Sequence, residues 1–321
     1  GPTDQGAVGI VGGAGYIGSH VVKELMKSGH EVTVFDNLST GQEINLFPEN
    51  RFIRGDIRNP EEIAAAMRGQ DAVVHLAAKK AVGESMENPM KYSDNNINGS
   101  LNILNAMVEA GTKYIVFSSS AAVYGMPEKE EVDEGCPVAP INYYGFTKAE
   151  IEKFMGWYDR LKGLKFVALR YFNAVGYDAD GDIRGREANP QNLLPIIMEV
   201  AEGKRDKLKI FGSDYPTRDG TCIRDYIHVS DLATAHVLAI EKLMSGMSSQ
   251  VLNLGTGSGT TVKEMVAAAE AVIGRKIPVE YVGRRAGDPA VLIASSAKAR
   301  ELLGWKPTYG NDVVSIIRTT L

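Results

Sequence analysis

Tyr144 and Lys148 are the two residues whose types and spacing most directly suggest chemistry. Four positions apart, they share one face if the segment is helical. A phenol with a pKa near 10 works as a base near neutral pH only if its anion gains about three pH units, roughly 4 kcal/mol. A neighbouring ammonium supplies part of that gain. The run Ser118-Ser119-Ser120-Ala121-Ala122-Val123-Tyr124-Gly125 lies upstream, and the Ser120 hydroxyl can hydrogen-bond the same reacting oxygen. Tyr143 is five residues from Lys148 and turned away, so it is the poorer base. A Tyr and a Lys at this spacing are common on surface helices, and the pair gains weight only from its setting.

That setting begins with Gly12-Gly13-Ala14-Gly15-Tyr16-Ile17-Gly18, between a β-branched run and an amphipathic stretch. Gly12, Gly15 and Gly18 allow a tight turn that brings backbone N–H groups and a helix N-terminus to a pyrophosphate. Asp36, at the end of the next strand-like run, can accept hydrogen bonds from an adenosine ribose. Its charge repels a 2′-phosphate and Asn37 follows in place of an arginine, so the expected dinucleotide is NAD rather than NADP. The positive nicotinamide ring would favour the Tyr144 phenolate further. Asp56, after the third strand-like run, is placed to meet the adenine edge, although an Asp there is also a common turn residue.

The elements that must position these groups alternate. Strands are expected at 8–11, 31–35, 51–54, 72–76, 114–118 and 166–169, with helices at 16–28, 60–68, 96–110 and 144–161. Such alternation predicts an α/β fold, a doubly wound Rossmann-type parallel sheet covered on both faces. From 173 to 191 no periodicity survives and a long loop is expected. Beyond it, helices at 192–203, 231–244 and 262–273 and strands at 208–211, 251–254 and 279–282 suggest a smaller mixed α/β lobe. The expected division is 1–173 for the dinucleotide and 174–321 for its substrate, with part of 221–255 returning to the first sheet.

Composition excludes several classes. The chain has 321 residues, 44% of them hydrophobic, enough for a sizeable core. A net charge of −5 gives no overall field for nucleic acid or an anionic membrane. No apolar run is long enough to span a bilayer, and the first residues have neither the basic flank nor the apolar stretch of a signal peptide. Cys136 and Cys222 are the only cysteines and fit free thiols in a reducing cytoplasm. Neither they nor the five histidines have metal-ligand spacing, so no metal is expected. Gly1-Pro2 looks like a cloning remnant. The chain stops inside a helix-like pattern, Val313, Val314, Ile316 and Ile317, so a further C-terminal piece is expected.

These residues resemble the extended short-chain dehydrogenase/reductase family, and the likeness to its UDP-glucose 4-epimerase branch covers nearly the whole chain. It is carried by the stretches at 75–85, Asp94-Asn95-Asn96, Arg170-Tyr171-Phe172-Asn173, Ile210-Phe211-Gly212 and 220–229. The resemblance implies NAD contacts at Tyr16, Ile17, Asp36, Asn37, Leu38, Ser39, Thr40, Gly41, Asp56, Ile57, Leu76, Ala77, Ala78, Lys79, Lys80, Asn95, Ser118, Tyr144, Lys148 and Phe172. It implies UDP-sugar contacts at Lys80, Ser120, Tyr144, Asn173, Asn192, Leu193, Phe211, Arg224, Arg285, Asp288 and Leu292. Phe211 offers an apolar wall for uracil, and Arg224 and Arg285 offer planar donor forks for a diphosphate. The implied reaction is oxidation at sugar C4 to a 4-keto intermediate, rotation of that sugar, and return of the hydride to its other face.

Two departures stand out. Tyr143 replaces a proline frequent in the family, and Leu292 stands at the position resembling the sugar-pocket gate. The related 4,6-dehydratases place an acidic pair where this chain has Ala121 and Ala122, so elimination of water lacks its acid. A non-catalytic NAD sensor would have no need of Ser120, Tyr144 and Lys148 together. On the helical wheel Tyr144, Lys148, Ile151, Met155 and Tyr158 share one face, while Tyr143, Phe146, Phe154, Trp157 and Leu161 form a second stripe. The helix at 96–110 has an apolar stripe of its own, Ile97, Leu101, Leu104 and Val108, and the resemblance implies that these two helices pair across a two-fold axis, so a homodimer burying both stripes is expected.

Overall fold

A computed structural model describes residues 5–186 and 192–321. The first wind comprises β1 (Ala7–Val11), α1 (Tyr16–Lys27), β2 (Glu31–Asp36), β3 (Arg51–Arg54), α2 (Pro60–Met67) and β4 (Ala72–His75). Next come α3 (Val82–Glu87), α4 (Pro89–Tyr92), α5 (Gly99–Ala110), β5 (Tyr114–Ser120), β6 (Glu131–Val132), α6 (Tyr143–Lys162), β7 (Lys165–Tyr171) and β8 (Asn173–Val175). The remainder comprises α7 (Leu193–Ala201), β9 (Leu208–Phe211), β10 (Ile223–Arg224), β11 (Tyr226–His228), α8 (Val229–Met244), β12 (Gln250–Leu254) and β13 (Thr260–Thr261). Last are α9 (Val262–Ile273), β14 (Val279–Val282), β15 (Val291–Ala294), α10 (Ala297–Leu303) and α11 (Val313–Arg318).

Seven strands form one parallel sheet in the order β12-β7-β5-β4-β1-β2-β3. The order reverses between β1 and β4, and in doubly wound sheets such a switch point opens the ligand crevice at the carboxyl ends of the strands. Period-two alternation feeds both faces. Val74, Val116 and Val167 join one core with Val21 and Leu25 of α1 and Leu232 and Ile240 of α8. Val73, Ile115 and Phe166 join another with Ile63 of α2, Ile103 of α5 and Ile151 and Met155 of α6. Helix ends follow local chemistry: the Asn142 side chain caps α6 by accepting from Gly145 N at 2.7 Å, and Gly163 ends it at φ 71°.

A third core gathers Leu194 and Ile197 of α7, Ile210 of β9, Met265 of α9 and Ile316 of α11. Three smaller sheets accompany it, with orders β13-β10-β15-β6, β11-β8 and β14-β9. The expected return to the main sheet is made by β12, which pairs in parallel with β7.

Three expectations need correction. Residues 173–191 are not all loop, because Asn173–Val175 forms β8 against β11, a strand too short to show a period; residues 187–191 lie outside the described ones. The helix at 96–110 is preceded by a π-helical turn, Ser93–Asn98, and becomes α-helical only from Gly99. Leu104 of its apolar stripe is buried in the chain's own core, as Phe154 and Tyr158 of α6 are in part, so only part of the two stripes faces outward. Among the described residues, no helix is long and apolar enough to cross a membrane.

Candidate active site

The glycine-rich turn is closed by its own backbone. A Cβ on Gly18 would stand 2.1 Å from the Gly12 carbonyl oxygen, and Gly12 itself has φ 90° against Leu76. Gly15 is different: a Cβ there would meet only Gly12 O, at 3.4 Å. Packing within the chain therefore does not require Gly15, and the open space above it suits a ligand lying close to the backbone. The first turn of α1, from Tyr16 and Ile17, directs its N–H groups toward the same side.

Asp36 is buried at the end of β2. Its Oδ2 accepts from Ala14 N at 3.0 Å and its Oδ1 from Leu38 N at 2.8 Å, which leaves each oxygen a lone pair for a ribose hydroxyl. Burial pushes its carboxyl above the ordinary value, and these backbone donors oppose that. Leu38 takes φ 60°, and a Cβ on Gly41 would stand 2.7 Å from Asp36 Oδ2, so residues 37–41 pass tightly over the carboxylate. Ser39 N donates to Asn37 Oδ1 within this turn, which continues through Thr40. Asp56 is more engaged than expected: it accepts from Arg58 N, Nε and Nη2 and from Asn37 Nδ2 at 2.8–3.0 Å. The Arg58 fork holds its carboxyl well below the ordinary range. Ile57 beside it is buried, and its carbonyl accepts from Asn102.

The segment from Leu76 to Lys80 leaves β4 at the switch point and is tied to the π-helical turn. Asn95 Nδ2 donates to Ala77 O, Lys79 N donates to Asn96 Oδ1, and Asn96 Nδ2 donates to Lys79 O and to Thr147 Oγ1 on α6. Asn96, fully buried, is thus a positioning residue that the sequence reading did not single out. Ala78 lies in this tied loop, and burial is the main cause that lowers the Lys79 ammonium.

Tyr144 and Lys148 lie on the inner face of α6, above the end of β5. Lys148 is buried, its Nζ donates to Ser118 O at 2.5 Å, and it stands 4.8 Å from the Phe117 ring centroid and 5.7 Å from that of Tyr144. Burial, then the charge of Lys80, pushes its pKa down to about 7, while Glu152 acts in the opposite direction. The Tyr144 phenol is raised by burial and lowered by a hydrogen bond with Ser120. In the protein alone burial therefore holds the phenol above its ordinary value, with Lys148 Nζ close by on the same helix face. Ser120 Oγ also accepts from Ala122 N at 3.0 Å. Tyr143 points elsewhere, its hydroxyl bonded to Ser93 Oγ.

The second cluster forms across the smaller sheets. The pairing of β9 with β14 sets Phe211 opposite Val282, and Arg285, three residues on, covers the Phe211 ring at 4.4 Å. Arg285 Nε donates to Asp288 Oδ2 at 3.0 Å, so three expected nucleotide contacts stand together. Arg224 and Leu292 are opposite one another in the β10–β15 pairing. Leu292 packs with Phe172 on the apolar group around Val123 and Ala149. The Asn173 amide and side chain both donate to Asp225 O, and the exposed Asn192 precedes Leu193 at the start of α7.

A dinucleotide cradle at the switch point, beside a Ser-Tyr-Lys constellation and facing a second lobe, defines a nucleotide-cofactor enzyme of the short-chain dehydrogenase class. The model of the NAD dependent epimerase/dehydratase family matches residues 8–255, and the chain belongs to that family. It is 49% identical over 315 residues to a UDP-glucose 4-epimerase of Lacticaseibacillus casei, covering 97% of this chain and 95% of that one. A UDP-glucose 4-epimerase structure from Brucella ovis in complex with NAD superposes with a TM-score of 0.95 at 44% identity, covering 98% and 97% of the two chains. One from Stenotrophomonas maltophila, with bound NAD and formylated UDP-arabinopyranose, gives 0.94 at 41% identity with the same coverage.

Proposed function

We propose that this protein is an NAD-dependent UDP-glucose/UDP-galactose 4-epimerase that inverts sugar C4 through a transient 4-keto sugar. The observation that carries this reading is the convergence of Ser120, Tyr144 and Lys148 on the cofactor crevice, with Phe211, Arg285 and Asp288 assembled in the facing lobe. NAD, when bound, supplies a hydride acceptor that returns the same hydride to the opposite face, and a positive ring that lowers the Tyr144 phenol. Tyr144 accepts the 4-hydroxyl proton and gives it back, and Ser120 steadies the oxygen from which it comes. Lys148 holds positive charge beneath the phenol. Phe211 walls the uracil, and Arg224 and Arg285 hold the diphosphate, so the sugar can turn about a fixed nucleotide. Asp36 and the turn at Gly12, Gly15 and Gly18 hold the cofactor's adenosine and pyrophosphate. Ala121 and Ala122 leave the turn after Ser120 without an acid for elimination.

The proposed domains follow the same division: 1–173 with β12 for the cofactor, and most of 174–321 for the UDP-sugar. The proposed partner is a second copy of the chain. Trp157 and Leu161 are 55% and 69% exposed on α6, and Leu161 lines a hollow of about 510 Å³ together with Asn105 and Val108 of α5. The buried thiols Cys136 and Cys222 accord with a proposed cytoplasmic location. The test of function is direct: purified protein incubated with UDP-galactose and no added reductant, followed by NMR, should form UDP-glucose to equilibrium. A need for stoichiometric NADH would defeat the reading.

A further inference from the structure

Beneath the catalytic pair lies a charged network that the proposed chemistry does not use. Ser119, Arg170 and Asn253 stand level on three neighbouring strands, because β5, β7 and β12 pair Ser119 with Arg170 and Arg170 with Asn253. Arg170 sends a two-pronged fork to Glu152 of α6, Nε to Oε2 at 3.0 Å and Nη2 to Oε1 at 2.6 Å. Ser119 Oγ donates to the same Oε2 at 2.5 Å. The remaining Arg170 nitrogen, Nη1, donates to the Tyr124 hydroxyl, which donates to Asn253 Oδ1. The side chains of Arg170 and Glu152 are 5% and 9% exposed.

A buried ion pair is a poor source of stability, since an apolar pair of similar volume often does as well. Its placement has another explanation. Glu152 is one helical turn beyond Lys148 on α6, and its partners Ser119 and Arg170 flank the strand end whose Ser118 carbonyl receives Lys148. We propose that Glu152, clamped by Arg170 and Ser119, is a positioning residue that seats Lys148 under the Ser118–Ser120 strand end and provides the carboxylate that keeps it an ammonium. This inference rests on the catalytic reading of Lys148 given above.

The groups around Lys148 support it. Tyr144 and Glu152 face it from α6, the Ser118 carbonyl and Phe117 from β5, His75 from β4, and Lys80 from the loop after β4; Tyr171 of β7 bonds Ser118 from beyond. His75 is kept neutral by burial, so it offers no counter-charge. Lys80 repels the ammonium, and Glu152, which shares its charge with the Arg170 guanidinium of β7, is the carboxylate that opposes it. The ammonium is the working form, present below the Lys148 pKa and lost above it. Removing the carboxylate lowers that pKa and moves the alkaline limb of kcat to lower pH.

The experiment compares Glu152→Gln, Glu152→Asp and Glu152→Gln/Arg170→Gln with wild type and with the surface control Glu150→Gln. All are assayed on UDP-galactose from pH 6 to 10 as NAD-loaded enzyme. Glu152→Gln should move the alkaline limb down by about one pH unit or more, the size expected of a charge one helical turn away. KM should change by no more than about threefold, since Glu152 touches no substrate. Glu152→Asp should keep the limb in place while lowering kcat, because it restores charge but not reach. The double variant removes the orphaned arginine and should fold like wild type, with the limb displaced less than in Glu152→Gln because a positive charge leaves with the carboxylate. The Lys148 13Cε resonance, assigned by its loss in Lys148→Met, should titrate lower in Glu152→Gln without any turnover. A wild-type limb in a folded Glu152→Gln, or a limb displaced further in the double variant than in Glu152→Gln, would overturn the proposal and reduce the pair to a structural one. If Lys148→Met itself turned over normally, the catalytic reading would fall instead.

Discussion

The cofactor end and the nucleotide-sugar end of this molecule are built differently. At the cofactor end the parts hold one another before any ligand arrives: Gly18 against the Gly12 carbonyl, Asp36 on two backbone amides, Asn96 between the loop after β4 and α6. At the sugar end the charged groups satisfy each other near the surface. Arg285 pairs with Asp288 and lies on Phe211, with its side chain 60% exposed. The first end is preorganised. In the proposed reading the second exchanges partners as a diphosphate and a uracil enter, which suits a site where the nucleotide stays fixed while the sugar turns.

This contrast can be broken by mutation. Tyr144→Phe should lower kcat by roughly 10²-fold or more, as removal of a general base does, while NAD content stays near one per chain. Activity within a few-fold of wild type would remove Tyr144 from its role. At the other end, Arg285→Ala should act on binding: KM for UDP-galactose rises about tenfold or more, the usual worth of a charge-assisted hydrogen bond, with kcat changed little. A kcat loss as large as that of Tyr144→Phe would mean that the sugar end is as preorganised as the cofactor end.

Acid should weaken the fold as a whole. His20, His75, His228 and His236 are buried, and burial depresses their pKa values to about 4, 3, 4 and 4. None lies on β9, β10, β14 or β15. Unfolded histidines take up protons below about pH 6.5, whereas these stay neutral until nearly pH 4. Stability is therefore present above pH 6.5 and falls as pH drops through the window from 6.5 to 4. Each such histidine costs the fold up to about 1.4 kcal/mol for every pH unit of that window. Thermal melts from pH 7 to 4 should show this slope, and His236→Gln should flatten it; an unchanged slope would mean that His236 is protonated in the fold.

The smallest effect on chemistry is expected from Trp157→Glu, on the outer face of α6. It should shift sedimentation from twice the 34.7 kDa chain mass toward one chain, with kcat within a few-fold of wild type. A wild-type protein that stays monomeric at micromolar concentration would remove the proposed dimer without touching the active-site argument.

The parts legible in the sequence were those encoded over short spans. The glycine turn, Asp36 and the Tyr144-Lys148 spacing each lie within one element or its end, and the structure has them where the strand and helix periods imply. Glu152 carried a signal that the sequence reading left unused, a carboxylate four residues beyond Lys148 on the same face. Arg170 carried another, a charge inside a strand that is otherwise apolar. What made them partners was the packing of α6 against β7, which no local pattern states. The strands β6, β8, β10, β11 and β13 were missed because two or three residues are too few to establish a period, and β15, Val-Leu-Ile-Ala, shows no polar–apolar alternation.

The amino-acid sequence determined on its own the longer helices and strands of the first half, and where along them lie the residues proposed to bind a dinucleotide or hold a proton. Those choices depend on side-chain period, capping and backbone freedom, all of which act within a few residues. Tertiary structure alone decided that β12 closes the sheet beside β7, that Arg285 reaches Phe211 from the loop after β14, and that Lys148 is driven down to about 7. Those outcomes depend on burial and on charges brought together from distant segments, and their energies come into being only once the chain has packed and water has been excluded.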